Sequence, residues 1–396
     1  MSCVKTVFLP LLVLSLSSVS YAETIARCGQ GWLETINGYP VLHLKGSPRE
    51  MGYQHGALLK SSVQKNMHTL LEVRGSEPLV EFGPISIRPK AAIESIIEIQ
   101  KPFVPQRYFE EMEGLAGGAG ITVRDARICN FIPELFHCSG FALMNTATRN
   151  GRLLHGRVLD YAVDWGLQEH AVIIVAEPKG RIPFVNVTYA GFIGSVTGMN
   201  SRHISIGEMG GKGLGHWQGV PMSLLVREAL ETGDDLEQAI SVFRDHPRTC
   251  QYFYVIADGT LNSAVGLEAS WDTFQLVKPG ERHPLLPTPV PDCVLLSAGT
   301  RYKELVRRTR QGRGTFTIQD ALRLMDRPVA MKSNLHNVLF EPQTTRFWIA
   351  NASTDRRPAA EQPYHAFQLS DLLKREPDRS ARRLPMPELI SSVEGR

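Results

Sequence analysis

The chain has 396 residues, 43% of them hydrophobic and 21% charged, which is the make-up of a globular protein at the length of a large single domain. A formal charge of +3 is too small to call for nucleic acid or an anionic membrane surface, so neither is expected as a partner.

Lys5, the apolar run Thr6 to Val19 and the small residues Ser20 and Ala22 around Tyr21 form a signal-peptide pattern over residues 1–22. The run is too short for a membrane span, and no later segment approaches ~20 uninterrupted apolar residues. The expectation is an exported protein, periplasmic or secreted, with no integral span after signal removal. Past Cys3 come Cys28, Cys129, Cys138, Cys250 and Cys293, an odd set that implies at least one thiol outside any disulfide. No pair has zinc-site spacing, and no metal is expected.

Gly38-Tyr-Pro-Val-Leu-His-Leu-Lys alternates like a strand. Ser47-Pro48-Arg49-Glu50 then offers a cap, a first-turn proline and an acid at the third position, so a helix is expected through Met51 to Leu59. Residues 90–117 read as helical, ending at the glycines 117, 118 and 120, and Asp125 as the start of a short helix to Asn130. From Cys138 strands dominate: Phe141 to Met144, Leu153 to Val158, Ala171 to Ala176, Phe184 to Tyr189 and His203 to Gly207. Helices follow over Met222 to Leu230 and Asp234 to Phe243, then a three-strand meander over 252–257, 263–269 and 273–277. A proline-rich loop (279–291), helices over 302–309 and 318–325, and a last hairpin (338–340 with 345–350) complete the order. The charged tail from Lys374 is expected to be poorly ordered. The sequence of elements fits an α+β protein with mostly antiparallel sheets.

Cys138 opens a strand–turn–strand segment in which Arg157 and Asp160 come round on the return strand. A thiol in mid-chain supplies a nucleophile only. Freed at a new N-terminus it also supplies a base, because an α-amine titrates near 7.7–8.0, roughly at working pH. Arg157 would favour the thiolate, and Asp160 would orient the new ammonium group. Gly198-Met199-Asn200 presents a side-chain amide for an oxyanion, a turn Asn being the plain alternative. Arg301, at a helix start after Ser297-Ala298-Gly299-Thr300, is a candidate to point into the pocket. Trp165, Tyr189, Phe192 and Trp217 are expected near it, which suggests an apolar or aromatic acyl group. Gly210 to Gly215 reads as a mobile active-site loop, and His155 as an ordinary strand His.

These motifs resemble the family of penicillin acyl-CoA:isopenicillin-N acyltransferase, in the choloylglycine hydrolase and acid amidase group of cysteine N-terminal-nucleophile hydrolases. The resemblance runs from Gly46–Gly56 and Glu111–Gly120, through Cys138, Gly156-Arg157, Asp160 and Gly198–Asn200, to Ser297–Arg301 and Asn334–Phe340. It implies a four-layer αββα fold, self-cleavage between His137 and Cys138, and two fragments that stay associated. The implied organisation is a mostly helical segment 23–137 and a catalytic αββα region 138–396. The implied substrate is a small acyl amide, with the acyl group carried on Cys138 to water or an acceptor amine and no cofactor. Two departures stand out. The family's Thr-Asn-His-like motif is replaced by Gly280-Glu-Arg-His-Pro284, leaving Arg282 or His283 as candidate substitutes, and the residue before the nucleophile is His137 rather than a small one. The competing expectations are a catalytically silent relative that binds an acyl ligand or a protein, and a papain-like thiol protease, which would need a His paired with Cys138.

Overall fold

The computed structural model describes residues 23–75, 80–82, 85–87, 89–132, 138–210 and 215–388. The signal pattern over 1–22, His137 and the loop residues 211–214 therefore lie outside the described residues.

Before Cys138 the chain opens with a meander of β1 (Glu23–Cys28), β2 (Gly31–Ile36) and β3 (Tyr39–Gly46), of which the sequence pattern announced only the third. Helix α1 (Pro48–Leu58) starts on a capping box: the Ser47 hydroxyl accepts from the Glu50 N–H, and the Glu50 carboxylate accepts from the Ser47 N–H at 2.7 Å. Then come α2 (Lys60–His68), the short hairpin β4 (Val80–Phe82) and β5 (Ile85–Ile87), and α3 (Pro89–Gln100). The helical stretch expected over 90–117 is two helices, because Pro102 and Pro105 interrupt it before α4 (Gln106–Ala119). Helix α4 ends at Gly120 with φ of 69°, whose N–H donates to the Ala116 carbonyl. Thr122 caps α5 (Val123–Asn130), its hydroxyl accepting from the N–H of Asp125, so Asp125 lies in the first turn rather than at the start.

After Cys138 come β6 (Ser139–Asn145), β7 (Gly151–Asp160), β8 (Ala171–Pro178), β9 (Phe184–Tyr189), β10 (Thr197–Asn200), β11 (Ile204–Gly210), α6 (Met222–Thr232) and α7 (Leu236–Asp245). The expected meander is β12 (Tyr252–Asp258), β13 (Ser263–Ala269) and β14 (Phe274–Val277). The chain ends with β15 (Cys293–Leu296), α8 (Gly299–Gly312), α9 (Ile318–Leu324), the hairpin β16 (Asn334–Glu341) and β17 (Arg346–Asn351), β18 (His365–Gln368), α10 (Leu369–Leu372) and β19 (Arg382–Leu384). The tail is not loose after Lys374. Arg375 makes a two-pronged pair with buried Glu34 at 2.7 and 2.6 Å, and β19 runs parallel to β1.

Two sheets carry the fold. One has eleven strands in the order β14-β13-β12-β11-β10-β9-β8-β3-β2-β1-β19, and the other six in the order β15-β6-β7-β16-β17-β18. Only the β3–β8 and β1–β19 neighbours are parallel among the described strands. The sheets face each other: a Cβ on Gly140 of β6 would meet Met209 of β11 and Val255 of β12. Helices α1, α6 and α7 cover the large sheet, and α8 and α9 pack on β15 and β7 of the small one. The layer order is αββα, as the resemblance implies.

Both sides of Cys138 feed this one structure. Strand β3 pairs with β8 from Val41↔Ile173 to Gly46↔Pro178. Helices α1 and α4 lie backbone to backbone, because a Cβ on Gly52 would stand 1.9 Å from the Glu111 carbonyl oxygen and one on Gly118 would stand 2.2 Å from that of Tyr53. The glycines of the two early motifs are thus helix-contact residues. The same region grips the turn after β9. Gly191 N–H donates to His55 Nε2 at 2.9 Å, Asn66 donates to the Ala190 carbonyl, and Asn130 donates to the Gly191 carbonyl while accepting from Ile193 N–H.

Candidate functional site

Cys138 stands immediately before β6 and lines a cavity of about 430 Å³ between the sheets at their open end. Met209, Phe253, Leu285, Leu286 and Leu296 give the cavity apolar walls, and Gln251, Ser297 and Arg301 supply its polar side chains. No His, Asp or Glu is among its described lining residues. The proline-rich loop expected over 279–291 is what brings Leu285 and Leu286 to the wall.

Arg301 sits in the first turn of α8 and reaches back across the sheet end. Its guanidinium donates to Asp160 Oδ2 at 2.6 Å and to Ser139 Oγ at 3.2 Å. Ser139 Oγ is also 2.8 Å from Ser297 Oγ, which closes a ring around the residue after the thiol. Asp160 is almost wholly buried and its other oxygen accepts from the Met331 N–H at 2.8 Å. Burial raises its carboxyl to about 6, against the lowering pull of that N–H and of Arg301.

Arg157 and Asp160 do not converge as one pair. Three residues apart on a strand with a two-residue period, they leave β7 on opposite faces. Arg157 points toward the large sheet and is fully buried, with its guanidinium 3.3 Å from Glu208 of β11 and its stem over Gly207, where a Cβ would come within 2.9 Å of it. The anticipated pair is two: Arg157 with Glu208, and Arg301 with Asp160.

Asn200 is not brought to the cavity. Alternation along β10 turns Asn200 and Gly198 toward the helix layer, while Thr197 faces the small sheet and meets His336. The two N–H groups of its amide go to the Leu230 and Gly233 carbonyls at 3.0 and 2.8 Å, and its oxygen accepts from the N–H groups of Arg202 and Ile204. It anchors a turn and a helix end. Arg282 is exposed, and His283 turns its Nε2 to Glu268 at 2.7 Å instead of lining the cavity. Tyr189 and Phe192 line a separate cavity of about 80 Å³ with Leu159 and Leu335. Trp217 lines a third, and Trp165 lines none of these three.

His155 is buried with Nδ1 2.8 Å from Ser205 Oγ, and burial drives its pKa down to about 3. The described cysteines form no disulfide with one another. Burial pushes the thiol of Cys28 up to about 11 and that of Cys293 to about 12, and raises Cys129 and Cys250 as well. Those four are packing residues. Among the described residues no group of three His, Cys, Asp or Glu side chains is placed to hold a metal ion, and no helix is long and apolar enough to cross a membrane.

The sequence pattern missed Glu208, Gln251 and the Ser139–Ser297 contact. The strand was expected to end at Gly207, one residue short of Glu208.

The raised Asp160 carboxyl has a consequence for stability. Its pKa in the fold lies above the unfolded value, so its stabilising contribution is complete below ~3.9 and is lost as pH rises through about 6. In uncleaved protein, lowering the pH from about 7 to about 5 is expected to move the stability difference between the parent and Asp160→Asn by about 1.4 kcal/mol in the parent's favour. Urea unfolding at each pH measures it; a flat difference contradicts the assignment.

The model of the acyl-coenzyme A:6-aminopenicillanic acid acyl-transferase family matches residues 146–281, a span that contains Arg157 and Asp160 but neither Cys138 nor Arg301. Protein dcd1A of Dictyostelium discoideum is 27% identical over 279 residues, covering 63% of this chain and 63% of that protein. The N-acylethanolamine-hydrolyzing acid amidase of Rattus norvegicus is 26% identical over 177 residues, 41% of this chain and 47% of its own length. The chain thus matches less than two thirds of the length of these curated relatives. A solved Caenorhabditis elegans N-acylethanolamine-hydrolyzing acid amidase ortholog aligns with a TM-score of 0.42 at 16% identity, covering 58% of this chain and 99% of that one. By sequence, the chain resembles the cysteine N-terminal-nucleophile hydrolases. Within them it resembles the penicillin acyl-CoA:isopenicillin-N acyltransferase family.

Proposed function

We propose that the protein is an exported, self-processing cysteine amidohydrolase or acyltransferase that handles linear amide bonds through an acyl-thioester on Cys138. The observation that carries this is the composition of the cavity: a thiol beside an arginine that Asp160 and Ser139 hold in place, with no His, Asp or Glu among its described lining residues. A thiol protease of the papain type needs a His there. An α-amine on Cys138 itself meets the need.

In the precursor the Cys138 sulfur attacks the carbonyl carbon of residue 137, the peptide nitrogen leaves as the Cys138 amine, and water hydrolyses the resulting thioester. That frees thiol and amine together. In turnover the amine takes the thiol proton, sulfur adds to the substrate carbonyl, and the tetrahedral oxyanion collapses with the leaving amine carrying a proton away. Water or an acceptor amine then attacks the thioester and regenerates the thiol. Arg301, held by Asp160 and Ser139, sets positive charge beside the reacting centre. The walls of Met209, Phe253, Leu285, Leu286 and Leu296 favour an apolar acyl group.

The test is acyl trapping. Incubation with a panel of N-acyl amino acids, N-acyl ethanolamides and aryl-acetyl amides, followed by acid quench and peptide mapping, is expected to find the acyl mass on Cys138. A chain that binds these amides yet never carries their acyl group is the silent binder instead.

A further inference from the structure

The stretch that stands in place of the Thr-Asn-His-like motif runs into a turn that forms one wall of the cavity. Pro284 fixes φ at its second position, and the Leu286 N–H donates to the His283 carbonyl at 2.9 Å, which closes the four residues His283 to Leu286 on themselves. Leu285 and Leu286 then line the cavity with Cys138, Leu286 buried and Leu285 58% exposed at the rim. The buried side chain of His283 holds this turn from inside. Its Nδ1 accepts from the Leu285 N–H at 3.2 Å, so the ring proton sits on Nε2, which donates to Glu268 Oε2 of β13 at 2.7 Å. The other Glu268 oxygen accepts from Gln251 Nε2, and the His283 ring stands edge-on to Phe253 with centroids 6.3 Å apart. Among the described residues, the bond to Glu268 is the hydrogen bond that ties residues 282–287 to the large sheet.

We infer that the turn from His283 to Leu286 seats a straight aliphatic acyl chain, and that His283 is a positioning residue that fixes this wall through Glu268 and so sets the chain length the site prefers. This rests on the acyl-thioester chemistry proposed above, and it narrows the acyl group from apolar to aliphatic. The lining argues for that choice: Met209, Leu285, Leu286 and Leu296 offer aliphatic surface, and Phe253 alone is aromatic among the described lining residues. A chain laid from Cys138 against Leu285 takes its exposed surface out of water, so each methylene that reaches the turn adds to binding. The Glu-Arg-His-Pro stretch thereby gains a role: His283 shapes the acyl seat without touching the reacting atoms.

The experiment compares p-nitrophenyl acetate with the hexanoate and the octanoate, on preparations whose intact masses show the same chain start. With each ester the Cys138 amine takes the thiol proton, sulfur adds to the carbonyl and p-nitrophenolate leaves. The parent is expected to gain roughly two- to fourfold in kcat/KM per added methylene up to the hexanoate. Leu286→Ala is expected to lower the hexanoate-to-acetate ratio by about tenfold. Leu285→Ala, a change at an exposed position that spares the fold, is expected to lower the octanoate-to-acetate ratio by about threefold. His283→Phe keeps a ring beside Phe253 and loses both hydrogen bonds. It is expected to lower the hexanoate-to-acetate ratio by about threefold, while acetate turnover and iodoacetamide alkylation of Cys138 stay within about twofold of the parent. Ratios unchanged in both leucine variants overturn the acyl seat. A ratio unchanged in His283→Phe overturns the positioning role, and so does an equal fall with both esters and with iodoacetamide, which would make His283 a fold residue. A parent acylated at Cys138 without regard to chain length overturns this inference and leaves the enzyme reading standing. A parent alkylated at Cys138 but acylated there by none of the esters sinks both.

Discussion

Cys138→Ala is expected to remain a single chain and to lose amide turnover by roughly 10⁴–10⁶-fold, the scale seen when a catalytic nucleophile is removed. The argument is one of chemistry at a fixed position. Alanine keeps the backbone and nearly the side-chain size on the wall of the cavity but has no atom to attack either residue 137 or a substrate carbonyl. Cys138→Ser keeps an attacking oxygen whose proton is far harder to remove, so slow cleavage is expected from it. The four other described thiols cannot stand in, since burial holds their pKa values above the ordinary range. Gel and mass analysis of both variants over days of incubation measures this. Cleavage of Cys138→Ala at the same bond would remove the self-processing mechanism.

Arg227→Met is expected to cost about 3–5 kcal/mol of stability, read by urea unfolding, because it leaves buried carboxylates without their cation. Arg227 of α6 is 3% exposed and Glu111 of α4 2%, so water contributes almost nothing to their solvation. The guanidinium spans Glu111 at 2.8 and 2.6 Å, donates from Nε to Glu231 at 2.8 Å and reaches the Ile193 carbonyl at 2.7 Å. Burial raises the pKa of Glu111 even with Arg227 in place. Glu111 lies before Cys138 and Arg227 after it, so this contact ties together the two fragments that cleavage would create. Pairing Arg227→Met with Glu111→Met should recover part of the loss. A loss under about 1 kcal/mol would mean the pair is solvated.

Local features were legible in the sequence. Ser47-Pro-Arg-Glu50 announced its capping box, and the alternation of Phe184 to Tyr189 marked a strand with its correct ends. Short strands without a pattern were not. Cys293 to Leu296 is apolar throughout because the strand is buried on both faces, and β19 exists only because β1 offers it an edge. The site was partly legible. Cys138 and Arg301 share the cavity, and Asp160 is reached through Arg301. Asn200 misled because a sequence does not say which face of a strand a residue takes, and one step along β10 exchanges the site face for the helix face. Gln251 was invisible for a related reason. It lines the cavity and pairs with Glu268, seventeen positions away and brought close by the register that sets Phe253 opposite Glu268.

The central claim is that Cys138 becomes an N-terminus. Mass spectrometry of the purified protein, under native and then denaturing conditions, tests it most directly. The account predicts one complex in native buffer that separates in denaturant into two chains, the second beginning at Cys138. The fragments should stay together until then, because β3 pairs with β8 and Glu111 with Arg227 across the break. A single unbroken polypeptide of parent mass, with Cys138 inert to acyl donors, would contradict it.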